Sequence, residues 1–306
     1  MPTVLIAGGT GLIGTRLSQL LRETGFEVRH LSRTEDLQAT FPAYQWDIAS
    51  AYIDPRACEE VDAVINLAGA GIADKPWTQA RKKLIIDSRV LTTRLLKEYI
   101  ESERLSAKTY LASSAIGFYG DRGEELMTET DQPGQGFLSE STQEWEAAID
   151  EVRQTGIRTV SIRIGVVLSL MGGALPKIIE PMRFGLASYF GNGRAWYSWI
   201  HIDDLCRIFI HALQKEDLDG IYNGVAPNPV RNKELVEMLR QVSAHKALLM
   251  PAPKPALRLM LGEMADVVLG STQVSADKIQ ASGFEFTYPK LRAALEDLLQ
   301  PSTATS

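Results

Sequence analysis

The chain has 306 residues, 45% of them hydrophobic and 23% charged, which is enough apolar material for a sizeable core without disulfide staples. A formal net charge of −6, with no Lys/Arg run interleaved with aromatics, excludes a polyanion-binding surface, so nucleic acid is not expected as a partner. Two distant cysteines, Cys58 and Cys206, read as buried thiols in a reducing compartment; without a basic leader or an apolar run of membrane-spanning length, the expectation is a soluble, cytoplasmic protein with no membrane partner.

The first predicted element is Thr3 to Gly14, T-V-L-I-A-G-G-T-G-L-I-G, a strand that ends in glycines and turns helical. Gly8, Gly11 and Gly14 stand three apart, so the chain can turn tightly, approach a pyrophosphate and pack the helix on the sheet. Gly8, Thr10, Gly11, Leu12, Ile13 and Gly14 are therefore candidate cofactor-binding residues, with the helix N-terminus supplying unpaired N–H groups. Leu12, Leu17, Leu20 and Leu21 fit one apolar helix face, Gly25 stops that helix, and Phe26 to Ser32 reads as a second strand.

That strand ends His30-Leu31-Ser32-Arg33, with no acidic residue for the ribose 2′-hydroxyl of NAD. The Ser32 hydroxyl and Arg33 guanidinium suit the extra phosphate of NADP; the alternative is a solvated arginine opening a loop. Ala43 to Ile48 reads as a short third strand with Asp47 placed to meet an adenine edge. Val61 to Leu67 is a further buried strand, and Leu67, Ala68 and Gly69 after it are small or apolar enough to let a cofactor come close. A long helix from Thr78 to about Ser102 follows, its apolar face drawn from Leu84, Val90, Leu91 and Leu95. Arg89 within it is a candidate phosphate or ribose contact, or else a solvated or salt-bridged residue.

Thr109 to Ser113 forms another strand, ending in S-S-A-I-G-F-Y-G at 113–120, and Thr159 to Leu168 continues the sheet. Asp203 or Asp204 is expected to cap a helix through Ala212, and His201 reads as a hydrogen-bonded structural residue more readily than as an acid or base. Leu257, Met260 and Leu261, like Leu291, Leu295 and Leu298, read as helical core, and the tail from Pro301 as frayed. No His, Cys or carboxylate cluster has metal-ligand spacing, so no metal is expected.

Taken together, G-G-T-G-L-I-G, N-L-A-G at 66–69, S-S-A-I-G-F-Y-G, R-I-G-V-V-L at 163–168 and W-I-H-I-D-D at 199–204 make the chain resemble the extended short-chain dehydrogenase/reductases, the epimerase and dehydratase type. More narrowly it resembles the atypical subgroup of epimerase family proteins or NADP-dependent oxidoreductases. The narrower likeness rests on S-R after the second strand, D-S-R at 87–89, G-N-G-R-A-W-Y-S-W-I-H-I-D-D at 191–204, L-M-L-G-E-M-A at 259–265 and G-F-E-F-T-Y-P at 283–289. The resemblance implies an α/β fold, a Rossmann-type doubly wound parallel sheet with a smaller C-terminal substrate or cap domain. Residues 1–168, completed by about 204–226, would form the NADP-binding domain, and 169–203 with 227–300 the cap. It further implies NADP(H) as cofactor, a nicotinamide near Gly165 to Val167, with Val167 in contact, and a small-molecule substrate; monomer and homodimer stay open.

Relatives that transfer hydride pair a Tyr with a Lys four residues on, the Lys lowering the phenol pKa. Here that pair would fall between Pro133 and Glu146, where Phe137 and Leu138 stand near the Tyr position and no Lys occurs. Tyr119 is the candidate substitute acid, or an aromatic capping the pocket; Ser113 or Ser114 is a candidate partner for a substrate carbonyl, or a strand terminator. Lys177 and Arg183 either meet an anionic substrate or are solvated. Three functional readings follow: an NADP-dependent oxidoreductase or epimerase-like enzyme, a non-catalytic NADP-binding regulator of the kind labelled cell-division related in some relatives, or a nucleotide-sugar epimerase.

Overall fold

Every residue of the first strand, β1 (Thr3–Ala7), is buried, and its side chains alternate between two cores: Val4 and Ile6 enter one, Leu5 and Ala7 the other. A strand apolar on both faces must be covered on both, and so it is in this computed structural model, which describes residues 1–243 and 245–299. The tail expected to fray from Pro301 lies outside the described residues. After β1 come α1 (Leu12–Glu23), β2 (Glu27–Ser32), β3 (Ala43–Asp47), β4 (Tyr52–Ile53), β5 (Ala63–Asn66), α2 (Gln79–Glu101), β6 (Thr109–Ala115), α3 (Phe137–Arg153) and β7 (Arg158–Ile164). The series continues with α4 (Ile202–Gln214), β8 (Gly220–Gly224), α5 (Asn232–Val242) and α6 (Leu291–Leu299).

The sheet runs β8-β7-β6-β5-β1-β2-β3-β4, parallel throughout except for the β3–β4 pair. Leu17, Leu20 and Leu21 of α1 pack with Leu205 and Phe209 of α4 on one face, and Leu95, Leu96 and Tyr99 of α2 with Trp145 and Ile149 of α3 on the other. The chain therefore has the expected Rossmann-type doubly wound α/β fold. Strand order reverses where β5 and β2 flank β1, the place where open α/β sheets take ligands at their carboxyl edge.

A third core gathers Leu168, Leu175, Tyr197 and Trp199 with Leu235, Leu239, Leu291 and Leu295. Around it a parallel two-stranded sheet joins Leu186–Phe190 to Leu248–Ala252. Cys58 and Cys206 are free and buried.

Several boundaries differ from expectation for identifiable reasons. The sheet strand does not run on to Leu168, because a Cβ at Gly165 would lie 2.4 Å from the Ser198 carbonyl oxygen; Val166–Leu168 leaves the sheet and pairs with Trp199–His201. On α2, Leu84 and Leu91 are 48% and 44% exposed, and Ile85, Thr92, Thr93 and Leu96 face inward instead. Thr92 and Thr93 can be buried because each hydroxyl donates to a carbonyl one turn back, Ser88 at 2.9 Å and Arg89 at 2.8 Å. Of the expected core residues of Lys254–Leu261, Leu257 is buried but Met260 is 80% exposed. Among the described residues no helix is long and apolar enough to cross a membrane.

Candidate cofactor and active site

At the carboxyl end of β1 the backbone turns through Gly8, whose φ of +81° and contact with the Leu67–Ala68 backbone leave no place for a side chain; a Cβ there would stand 2.8 Å from the Leu67 carbonyl carbon. A Cβ at Gly14 would likewise meet the Gly8 carbonyl oxygen at 2.4 Å, so the helix start is pressed onto the loop. Gly11 caps α1 without a side-chain bond, and the first helical backbone bond is Thr15 N–H to the Gly11 carbonyl at 2.9 Å. The amides of Leu12, Ile13 and Gly14 are thus left over, with no acidic residue in the first turn to absorb them. Thr10 and Gly11 are exposed, so the site opens outward. Unpaired donors, the positive end of a helix and backbone close enough to touch together make an arrangement that can cradle an anion.

His30 stiffens the cradle from below. The buried Ser18 hydroxyl donates to the Gly14 carbonyl at 2.7 Å and lies 2.7 Å from His30 Nε2. Burial pushes the His30 imidazole down to about 4, so it is neutral near pH 7.

At the end of β2, the Ser32 hydroxyl oxygen accepts from the Thr34 amide at 3.3 Å, and Arg33 is exposed with no ion pair among the described residues. Its neighbours differ: Arg29 pairs with Glu27 at 3.1 Å, and Arg56 with Asp54 and Glu35. Asp47 is exposed at the end of β3, its carboxylate accepting from the Ser50 hydroxyl at 2.7 Å and the Ala49 amide at 3.0 Å, bonds that lower its pKa. On the other side of β1, Asn66 donates to Thr93 and Tyr110 at 3.1 and 3.0 Å and accepts from the Ala68 amide at 3.1 Å, which shapes the Leu67–Gly69 turn. Val167 is half-buried, and Leu12 meets the cap at Gly173, where a Cβ would stand 3.5 Å from its methyl.

The β6–β7 side of the same edge is different. Ser113 donates to the Asn66 carbonyl at 3.1 Å, and Ser114 to Glu146 at 2.6 Å. Glu146 receives Arg163 in a two-pronged pair, 2.8 and 2.7 Å, and Arg163 Nη1 donates to the Tyr119 hydroxyl oxygen at 3.0 Å. Tyr119 in turn donates to Asn223 Oδ1 at 2.7 Å. All six side chains are buried, Tyr119 and Asn223 completely. Arg163 is the cation beside Tyr119 that sequence reasoning missed, yet the phenol pKa rises to about 12, because burial outweighs the guanidinium's pull. The available signal was a lone arginine inside the apolar strand V-S-I-R-I, which requires a buried partner. Phe137 and Leu138 occupy the first turn of α3, Phe137 packed edge-on against Trp77 at 4.8 Å.

His201 is buried, stacked 4.0 Å from Tyr288, and caps α4: its Nδ1 accepts from the Asp203 amide at 3.1 Å. The expected carboxylate caps are employed elsewhere. Asp203 takes Arg16 of α1 through bonds of 2.7 and 2.8 Å, and Asp204 accepts from the Thr287 and Tyr288 amides at 3.0 and 2.8 Å. Lys177 reaches the Ala73 carbonyl at 3.3 Å, Lys82 pairs with Glu263, and Arg183 is exposed. Two ties thus hold Lys177 and Glu263 against the 73–82 segment.

Residues 4–223 match the NAD dependent epimerase/dehydratase family, and residues 252–298 match a domain of unknown function, DUF1731. Over 300 residues the chain is 36% identical to an epimerase family protein of Staphylococcus saprophyticus, covering 98% of this chain and 100% of that one. The crystal structure of the human epimerase family protein SDR39U1 (isoform 2) with NADPH is similar with a TM-score of 0.86 at 31% identity, covering 97% of this chain and 99% of that one. A nucleoside-diphosphate sugar epimerase of Corynebacterium glutamicum is 32% identical with a TM-score of 0.79, covering 98% of this chain and 58% of that one.

Proposed function

The chain belongs to the NAD dependent epimerase/dehydratase family, and from that premise we propose that it is an NADP(H)-binding oxidoreductase or epimerase-like enzyme for a small polar substrate. The observation that carries this reading is the pairing of the α1 cradle, with its leftover amides, and Arg33 just after β2, a guanidinium without a counter-charge among the described residues. The likeness to SDR39U1, solved with NADPH, supports it.

The amides of Leu12, Ile13 and Gly14 hold the pyrophosphate, and Gly8, Thr10 and Gly11 keep its approach open. Ser32 and Arg33 select the 2′-phosphate by charge-assisted bonds, Asp47 borders the adenine, and Leu67, Ala68 and Gly69 wall the ribose side. Val167 gives the nicotinamide an apolar neighbour, and the smaller cap expected over 169–203 and 227–300 covers the substrate. Bound there, the cofactor supplies a hydride donor or acceptor. Tyr119→Phe tests the phenol directly: as a proton donor, it would carry turnover with it.

The reading is tested by titrating Arg33→Ala with NADPH and NADH. NADPH affinity should fall roughly tenfold or more and NADH affinity little, since only the former has the phosphate. Equal losses would remove the NADP assignment. A second reading, an NADP-binding regulator without turnover, is favoured by one observation: Ser113, Ser114 and Tyr119 all spend their hydroxyl hydrogens on buried protein acceptors. Protein-bound NADPH that no metabolite oxidises or isotopically exchanges in a broad screen supports that second reading.

A further inference from the structure

The C-terminal end of α5 carries basic side chains that the cofactor cleft does not use. An open cavity of about 550 Å³ lies there, lined by Arg240, Gln241, His245, Lys246, Ala247 and Leu248. Half of that lining is basic and none of it acidic, on a chain whose formal net charge is −6. Among the described residues no carboxylate pairs with Arg240, His245 or Lys246; Arg292 of α6, which donates to Gln241 Oε1 at 2.8 Å, keeps Glu296 to itself at 3.5 Å. Basic residues near a helix end ordinarily serve its last carbonyls. These do not: the one such bond among the described residues runs from Arg240 Nη1 to the Ala247 carbonyl, beyond the helix, at 3.5 Å. Arg240 Nε, the Ser243 hydroxyl and His245 Nδ1 are all sealed from solvent with no partner among the described residues. Polar groups left in that state cost stability, and cations held together without a counter-charge repel one another. An oxyanion in the cavity gives the guanidinium and the imidazole an acceptor, and Arg240 and Lys246 a counter-charge.

We propose that this turn is an oxyanion-binding site for a phosphate-type group, separate from the cofactor cleft. Arg240 supplies a planar fork, the exposed Lys246 a point charge, and Gln241 an amide nitrogen, its oxygen being taken by Arg292. The turn packs on the third core through Leu239 and Ala247, whereas α1 packs on the main sheet through Leu17 and Leu21, so the two sites are built on different parts of the molecule. Beside the cavity the surface becomes apolar. The Leu248 amide donates to the Gly185 carbonyl at 2.8 Å, which brings Phe184 alongside, and the strand register sets Leu186 opposite Leu248; Phe184 and Leu248 are 80% and 65% exposed. A soluble phosphate and a phospholipid headgroup offer the turn the same chemistry, and only the second would also engage these apolar side chains. The inference does not depend on the NADP(H) reading.

The test titrates inorganic pyrophosphate into the full chain saturated with NADPH, so that the α1 cradle is occupied, and compares wild type with Arg240→Gln, Lys246→Gln and the double variant at one ionic strength. Wild type should bind; each single change should weaken binding roughly threefold or more and the double change roughly tenfold or more, with NADPH affinity unchanged throughout. Vesicles of phosphatidylcholine with and without phosphatidylglycerol identify the source of the phosphate. Association with the anionic vesicles alone, lost in the double variant and in Phe184→Ser with Leu248→Ser, assigns a lipid headgroup; pyrophosphate binding without vesicle association assigns a soluble phosphate. The proposal is overturned if wild type takes up neither probe, or if a double variant that melts like wild type binds as wild type does. Should Arg240→Gln melt early, Lys246→Gln, a change at an exposed side chain, carries the comparison, and unchanged binding there also overturns it. A protein that takes no NADPH but loses pyrophosphate binding in the double variant would sink the cofactor reading and leave this site standing.

Discussion

The carboxyl edge of the sheet has two ends built on opposite principles. At the β1–α1 end, donors are left unpaired: among the described residues the Leu12 to Gly14 amides have no acceptor and Arg33 beyond β2 has no carboxylate. At the β6–β7 end, the hydroxyls of Ser113, Ser114 and Tyr119 are bonded inside the protein, and the buried charges of Glu146 and Arg163 neutralise each other. Unpaired polar groups at a surface are cheap while water serves them and become binding energy when a ligand replaces it. Buried ones must be matched, and once matched they resist reassignment. One end thus has donors free to meet a ligand, and the other spends its polar groups inside the fold.

The sharpest way to break this contrast is Arg163→Ala. It strands Glu146 in the interior, and chemical unfolding should register a loss of about 3–5 kcal/mol. Exchanging both partners for apolar residues, Arg163→Met with Glu146→Leu, should recover much of that loss, because the pair then leaves no uncompensated charge. A double variant as unstable as the single one would mean that the network contributes something beyond charge matching.

Acid probes the cradle end. His30 has a pKa of about 4 when folded against 6.5 when free, so the unfolded chain takes up the proton first as pH falls. The associated stability is fully present above 6.5 and is lost as pH falls from 6.5 to 4, by up to about 3 kcal/mol. Denaturant titrations across this range should show that slope in wild type and not in His30→Asn; identical slopes would show that His30 does not lock Ser18 and Gly14 as described.

The cradle was legible because its signals are local. An apolar strand, glycines three apart and a helical leucine face lie within about two dozen residues, and Arg33 directly follows β2. The sealed network was not legible, because its partners are joined by the fold alone: Arg163 and Glu146 are 17 residues apart, Tyr119 and Asn223 104 apart. Asp203 looked like a cap until Arg16, 187 residues away, claimed it and left the role to His201. The inward stripe of α2 was hidden because Thr92 and Thr93 satisfy their hydroxyls within the helix, so polar residues stand where leucines were expected. Doubly wound folds tolerate such long-range exchanges because the sheet holds every strand in register.

The smallest change bears on the central contrast most directly. Tyr119→Phe removes one oxygen and leaves Arg163 Nη1 and Asn223 Oδ1 each without the hydroxyl they shared inside the core. Measuring unfolding free energy and NADPH affinity on the same sample should show a loss of about 1–3 kcal/mol in stability and an unchanged dissociation constant. A variant as stable as wild type whose NADPH binding or turnover collapses would contradict the account and place the phenol in the working site.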